Sequence, residues 1–339
     1  MRLFAAAVSG SLLALLQPAG AAPLADNTKS KDKPVYTIGS PPIPKIILIP
    51  EAKLSEIAAP FMPTFQNGTA SVDSFKPKDV PLIRDPKRPK PIATVIRARD
   101  DRLLDSTQRL GYPYSAVGKV ILRQPSAANK IVRDCSGAAI GARLMLTANH
   151  CFPHNHSLGD ITMEFIPAYD ATSDDPEPYG SAYATECTAV AERPVDGTDY
   201  IVCRLNGDIG PTTGWLGWTA WDDDESYRKG KWSSVGYPAR VNGGNVPCYE
   251  SPVVLKNITN SGFEGKLMTS SPPYVSAGWS GGPLFGWSGD TPYIAGVVTA
   301  TAGSTTDQGL RFELISTHAG GKRLAELIEA ARHNATGGS

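Results

Sequence analysis

The sequence predicts an all-β fold, with antiparallel sheets closed as barrels or packed as sandwiches, and three observations carry that prediction. Apolar runs are short, they recur at close intervals, and they are bounded by Gly, Pro, Asn and Asp. No sustained helical period appears before the C-terminus, and no internal repeat is present. With 339 residues, of which 41% are hydrophobic, the chain can bury one large core or two small ones. Its formal net charge is zero, which gives no electrostatic case for nucleic acid or an anionic membrane as partner.

Taken in order, the chain opens on Met1-Arg2, an apolar run from Leu3 to Leu16 and a small-residue end at Ala19-Gly20-Ala21. A basic residue, a short apolar stretch and a small-x-small site read as a secretory signal peptide over residues 1–21. The run is too short, and too soon followed by Pro18, to span a bilayer as an anchor. Residues 22–94 are rich in proline and lysine, with prolines recurring from Pro34 to Pro91. Such a segment supplies little sheet, helix or core. It reads either as a flexible secreted tail or as a propeptide removed on maturation, and the second reading is preferred. Four sequons, at Asn67, Asn155, Asn257 and Asn334, agree with export and a glycoprotein.

The body follows. Val117 to Leu122, Ala138 to Ile140, Leu144 to Thr147, Tyr200 to Leu205, Ser233 to Gly236 and Tyr293 to Thr299 read as strands. At the end, Leu324, Leu327, Ile328 and Ala331 fall on one stripe of a helix over Lys322 to His333, packed on the body from outside. Five cysteines lie beyond the proline-rich segment, and export favours their oxidation. Cys151 is placed to bridge to Cys135, and Cys187 to pair with Cys203 across a hairpin, leaving Cys248 over.

Three stretches carry chemistry. Ser280 sits in Gly278-Trp279-Ser280-Gly281-Gly282-Pro283, where glycines leave room for a substrate carbonyl and let the N–H groups of Gly278 and Ser280 converge as an oxyanion site. The apolar strand Leu144 to Thr147 ends in Ala148-Asn149-His150-Cys151. An unperturbed histidine titrates near pH 6.5 and is a usable base at neutral pH. A base needs its second ring nitrogen held by an acceptor, and Asp199, at the mouth of an otherwise apolar strand, is the candidate. Asp196 is the rival, but Asp196-Gly197 reads as a turn. His154 and His156 raise the question of zinc with His150, but the spacing of a zinc site is missing and no metal is expected. The acidic run Asp222 to Glu225 reads as a solvated loop rather than a calcium site.

His150, Asp199 and Ser280 in that order, with Thr147-Ala148-Asn149-His150-Cys151, Asp199-Tyr200-Ile201-Val202 and Gly278 to Pro283, resemble the chymotrypsin-like serine proteases. Asp100-Asp101-Arg102, Tyr112 to Gly118 and Val235-Gly236-Tyr237-Pro238 are similar to the secreted glutamyl endopeptidases, the V8-like branch. The resemblance covers about residues 95 to 318. It implies two six-stranded antiparallel β-barrels, here residues 95–207 and 208–339 with the terminal helix, and a site in the cleft between them. It also implies a precursor, cut between Lys90 and Arg99.

Two departures matter. Trp279 stands where the trypsin-like branch has the aspartate that pairs with a new N-terminus, and Val298 stands where glutamyl endopeptidases carry a histidine. With Tyr274 and Val275, Val298 points to an apolar or small residue at the cut bond, and Thr299 and Ala300 offer backbone to an extended substrate. The resemblance thus implies a secreted serine endopeptidase, acting as a monomer on proteins or peptides, with no cofactor, no nucleic acid and no membrane partner. Two other readings stand beside it: a catalytically silent relative that binds peptide or protein, and an esterase using the same three residues.

Overall fold

The structure, a computed structural model, describes residues 40–49, 74–84, 86, 102–154, 159–190, 196–261, 265–305 and 311–336. The expected leader, the cut between Lys90 and Arg99, the sequons at Asn67 and Asn155, and His156 lie outside the described residues.

The first half forms β1 (Lys45–Leu48), β2 (Arg102–Leu103), β3 (Val117–Gln124), β4 (Lys130–Gly141), β5 (Leu144–Thr147), β6 (Thr162–Pro167), β7 (Ala182–Ala189) and β8 (Ile201–Leu205). Six of these close into an antiparallel barrel in the order β3-β4-β5-β8-β7-β6. Closure comes from β7, whose first residues pair with β6 while Ala184 to Thr188 pair with β8. Pairing around the ring removes most of the open edges that would otherwise template aggregation, leaving the edge of β7 beyond Tyr183. Val117 to Leu122 are buried without alternation because one side of β3 faces the barrel interior and the other packs on the second lobe at β10.

The second half contributes α1 (Gly210–Thr213), β9 (Gly217–Trp218), α2 (Asp224–Lys229), β10 (Trp232–Gly236), β11 (Cys248–Val253), β12 (Leu255–Ser261), β13 (Gly265–Ser270), β14 (Pro283–Ser288), β15 (Thr291–Thr305), β16 (Arg311–Gly320) and α3 (Lys322–Thr336). Its sheet runs β12-β13-β16-β15-β14-β10-β11-β2, with β9 added to β15. Here the structure differs from a second six-stranded barrel. Strand β2 takes the edge of β11, through Cys248↔Leu103 and Tyr249↔Arg102, and no pairing closes the sheet among the described residues.

The acidic run is the start of α2: Asp223 caps it by accepting from the Ser226 N–H, and Asp224 and Glu225 fill its first turn. Six residues are too few to show a helical period in the sequence. One buried cluster joins barrel residues such as Val120, Met145 and Val202 to Val235, Phe285 and Val297 of the second sheet, and a smaller one lies within the second sheet. The site sits over the seam they share.

Candidate active site

The register of the barrel explains why residues far apart in sequence meet. Thr147 at the end of β5 lies opposite Ile201 at the start of β8. The chain leaving β5 therefore passes the chain entering β8, which puts His150 beside Asp199. His150 rides on a 3-10 turn, Asn149–Cys151, closed by Cys151 N–H to Ala148 O at 3.1 Å. A disulfide from Cys151 to Cys135 on β4 ties that turn to the barrel. The second disulfide, Cys187–Cys203, joins directly opposed residues of β7 and β8, and Cys248 is buried and belongs to neither disulfide.

Asp199 is fully buried, and its two oxygens are both used. Oδ1 accepts the His150 backbone N–H at 2.9 Å, and Oδ2 lies 2.7 Å from His150 Nδ1. Thr299 Oγ1 also donates to Oδ2. With the Nδ1 proton held by the carboxylate, the lone pair of His150 is on Nε2, on a side chain that remains 25% exposed. The rival Asp196 is spent locally: its Oδ1 accepts from Thr198 N–H at 2.7 Å and Thr198 Oγ1 at 2.8 Å, forming the turn that its sequence suggests.

The Ser280 turn is held from three sides. Trp279 is buried and donates from Nε1 to Ser234 Oγ at 3.1 Å, which pins the turn to β10. Gly281, at φ +82°, lies so close to Thr147 Oγ1, Ser136 O and Ala148 N that a Cβ has no room. The turn thereby abuts the end of β5, and Ser280 O accepts from Ser136 N–H at 2.7 Å. Gly278, at φ +90°, packs its α-carbon against Tyr237 O in the same way. Backbone donors around the serine divide cleanly. Trp279, Gly281 and Gly282 donate to Ser276, Val298 and Trp279 carbonyls, whereas the Gly278 and Ser280 N–H groups have no partner among the described residues. Two unspent donors, one on each side of Trp279 and beside a hydroxyl, are what an oxyanion site requires. No hydrogen bond joins the Ser280 hydroxyl to the His150 ring among the described residues; the two turns meet at Cys151 Sγ, 3.9 Å from Ser280 O.

The residues expected to meet substrate divide into two groups. Tyr274, Val275 and Val298 are buried under the turn, in the cluster with Trp279. The Tyr274 and Val275 N–H groups both donate to Ser316 Oγ, at 2.9 and 3.0 Å, and Tyr274 O–H donates to His318 Nε2 at 2.7 Å. Ala300 is turned away from any incoming strand, since its N–H and C=O are both bonded to Thr317 Oγ1 on β16. Thr299 falls at a register shift of β15, and its hydroxyl serves Asp199.

Two residues of this region are silent in the sequence. Ser136 is fully buried; its Oγ donates to Gly278 O at 2.8 Å and accepts Tyr237 N–H at 2.9 Å. His318 is fully buried between Tyr274 and Met268 O, and burial lowers its pKa to about 4. Neither stands in a motif, and only the tertiary contacts reveal them.

Cys135, His150 and Cys151 gather potential metal ligands within 4.8 Å of one another. Both cysteines are consumed by their mutual disulfide, so that group offers a metal only one imidazole. His154 turns its ring to Asn149, with Nε2 at 3.0 Å from Oδ1.

A family model described as Trypsin matches residues 119–313. The chain is similar to a protein of Bacillus subtilis (strain 168) named extracellular metalloprotease, with 26% identity over 207 residues, 59% of this chain. The chain spans 60% of the length of that relative. Among solved structures it is similar to the protease Anisep of Arthrobacter nicotinovorans, at 22% identity and TM-score 0.47 over 64% of this chain and 96% of that one. It is also similar to a structure titled Glu endopeptidase in complex with MPD, at 19% identity and TM-score 0.48 over 66% of this chain and 92% of that one.

Proposed function

The chain belongs to the trypsin family and has the chymotrypsin-like fold, and from that premise we propose that it is a secreted serine endopeptidase, made as a precursor, that cuts peptide bonds through an acyl-enzyme. The observation that supports this reading best is an Asp199-held imidazole on a turn whose Cys151 Sγ lies 3.9 Å from Ser280 O, in a serine turn that keeps two donors unspent. Ser280 Oγ attacks the substrate carbonyl carbon while His150 Nε2 takes the hydroxyl proton. The negative oxygen of the tetrahedral intermediate accepts from the Gly278 and Ser280 N–H groups. Collapse breaks the carbon–nitrogen bond, and His150 returns the proton to the leaving amine. Water then repeats the sequence on the ester. The Ser280–His150 hydrogen bond forms when substrate is seated, as such bonds often tighten only in the Michaelis complex.

The site is of the V8-like kind but without a glutamate preference. Val298 is fully buried and offers a carboxylate nothing, and His318 across from it on β16 is already used on both nitrogens. An apolar or small residue before the cut bond follows. The Thr299 backbone, at the register shift of β15, is the edge we assign to the substrate strand.

The test is cleavage of a mixed peptide library by the processed protein, by Ser280→Ala, and by the wild type with a metal chelator present. Wild type is expected to cut with or without chelator, to be labelled by a fluorophosphonate, and to lose about 10⁴-fold or more of its rate in Ser280→Ala. Cutting that the chelator abolishes, or that Ser280→Ala retains, overturns the reading.

A further inference from the structure

Two pieces of the proline-rich segment are seated on the body. Strand β1 adds in parallel to β7, pairing Lys45↔Glu186 through Leu48↔Ala189, and Ile49 N–H continues the ladder to Ala189 O at 3.0 Å. It occupies the part of the β7 edge that β6 leaves open, because β6 pairs only as far as Tyr183. Ile49 is buried there. The second piece, residues 74–84, meets the linker at Trp215, the chain at Tyr112 and the second sheet at Asp290. Phe75 and Trp215 exchange backbone hydrogen bonds of 3.0 and 2.9 Å, and their rings stack with centroids 4.5 Å apart. Tyr112 N–H donates to Pro81 O at 2.7 Å, and Ile83 N–H to Tyr112 O at 2.8 Å. Arg84 then reaches the second sheet, 2.9 Å from Asp290 and over the Trp287 ring.

The body is shaped to receive this piece. A Cβ on Gly111 would run into the Ile83 side chain, and one on Gly214 would stand 2.6 Å from Phe75 O. Val80 is buried, and Ile83 packs on the common core. The seat comprises β7, Gly111 to Tyr114, Gly214, Trp215, Trp287 and Asp290, and includes no residue of the candidate active site.

We propose that residues 40–49 and 74–84 act as a strap that stays bound, noncovalently, after the chain is cut between Lys90 and Arg99, so that the working protein has two chains. The cut itself rests on the precursor reading given above; the binding does not. Backbone pairing at two separate places, joined by one tether, lets each contact hold the other in reach, so the fragment leaves only when both let go. The strap covers an open strand edge and ties the barrel to the second sheet, and because its described part avoids His150 and Ser280 it does not obstruct them.

The experiment inserts a site-specific protease sequence with flexible flanks between Lys90 and Pro91 of the full chain, in the Ser280→Ala background so that the chain's own activity does not enter. After complete cutting, checked on a denaturing gel, the fragment and body are run on a native sizing column at about 1 μM, where a micromolar dissociation constant marks half-retention. Co-elution at one fragment per body is expected, and the double variant Phe75→Ala/Ile83→Ala is expected to weaken retention by more than about tenfold. Those substitutions lie in the strap, so the body's fold is not at stake. Elution of the fragment apart from a body whose melting temperature is unchanged overturns the proposal, as does retention that the double variant leaves intact. Either failure leaves the peptidase reading standing, and a failure of library cleavage leaves the strap standing.

Discussion

Ser136 shows how much of a site can depend on a side chain with no chemistry of its own. Its hydroxyl fixes Gly278 O and Tyr237 N–H, its N–H holds Ser280 O, and its carbonyl accepts Thr147 Oγ1 at 2.7 Å. One buried residue thus fixes the Gly278–Trp279 and Ser280–Gly281 peptides, which flank the two N–H groups proposed as oxyanion donors. In Ser136→Ala the Gly278 carbonyl and the Tyr237 N–H are left buried and unpaired, which costs about 1–3 kcal/mol of stability. With the Gly278–Trp279 peptide freed, the proposed donors on either side of it, Gly278 N–H and Ser280 N–H, are held less firmly, and such donors act chiefly on the transition state. We expect kcat to fall by roughly 10- to 100-fold with KM nearly unchanged, since complete loss of one donor costs about 10²–10³. Steady-state kinetics check this; a raised KM at intact kcat would make Ser136 a packing residue only. His150, Asp199 and Ser280 were legible because each stands in a local pattern that packing alone does not explain. Ser136 was not, because its partners Tyr237 and Gly278 lie 101 and 142 residues away and only the folded chain defines the contact.

At the scale of elements, strands were legible where apolar runs met turn residues, and β3, β5, β8 and β10 fall where expected. Edge choices were not, because hydrophobic pattern does not say which strand takes an open edge. The edge of β11 went to β2, and that of β7 to β1, drawn from a segment whose prolines argued against sheet. The β15–β16 pair carries a second consequence. His318 stands opposite Val298 with its ring fully buried, and desolvation lowers its pKa from 6.5 to about 4. Folded protein therefore keeps this ring neutral while unfolded chain protonates it below about 6.5. Its contribution to stability is complete above pH 6.5 and is lost as pH falls toward 4, on the order of 3 kcal/mol in all. His318→Gln retains a donor and an acceptor but does not titrate. The stability gap between wild type and His318→Gln is expected to narrow between pH 6.5 and 4 in denaturant titrations, and a gap independent of pH would show that the ring is not held neutral.

The two lobes are held together by α3. The sequence predicts a helix with one apolar stripe, lying on the outside; the structure buries Leu324, Ala325, Leu327, Ile328, Ala330 and Ala331 together. The wider burial follows from position, since α3 packs on β7 and β8 of the barrel and on β13 of the second sheet. Its polar groups bridge the same way. Arg332 donates to Ile140 O on β4 at 3.0 Å and lies over the Trp218 ring, and Arg204 on β8 donates to Asn334 O. Arg323 and Glu326, both buried, pair with each other. Removing the apolar volume at Leu327 should therefore weaken both lobes at once, by about 2–5 kcal/mol in Leu327→Ala. The six tryptophans all lie from Trp215 onward, so their fluorescence reports the second lobe and the linker, while hydrogen exchange of β5 and β8 amides reports the barrel. Both probes are expected to lose the same free energy, because the common core leaves neither lobe a separate unfolding step. If Leu327→Ala lowers the fluorescence midpoint while the most protected β5 and β8 amides keep their wild-type exchange, the lobes unfold independently and α3 belongs to one of them alone.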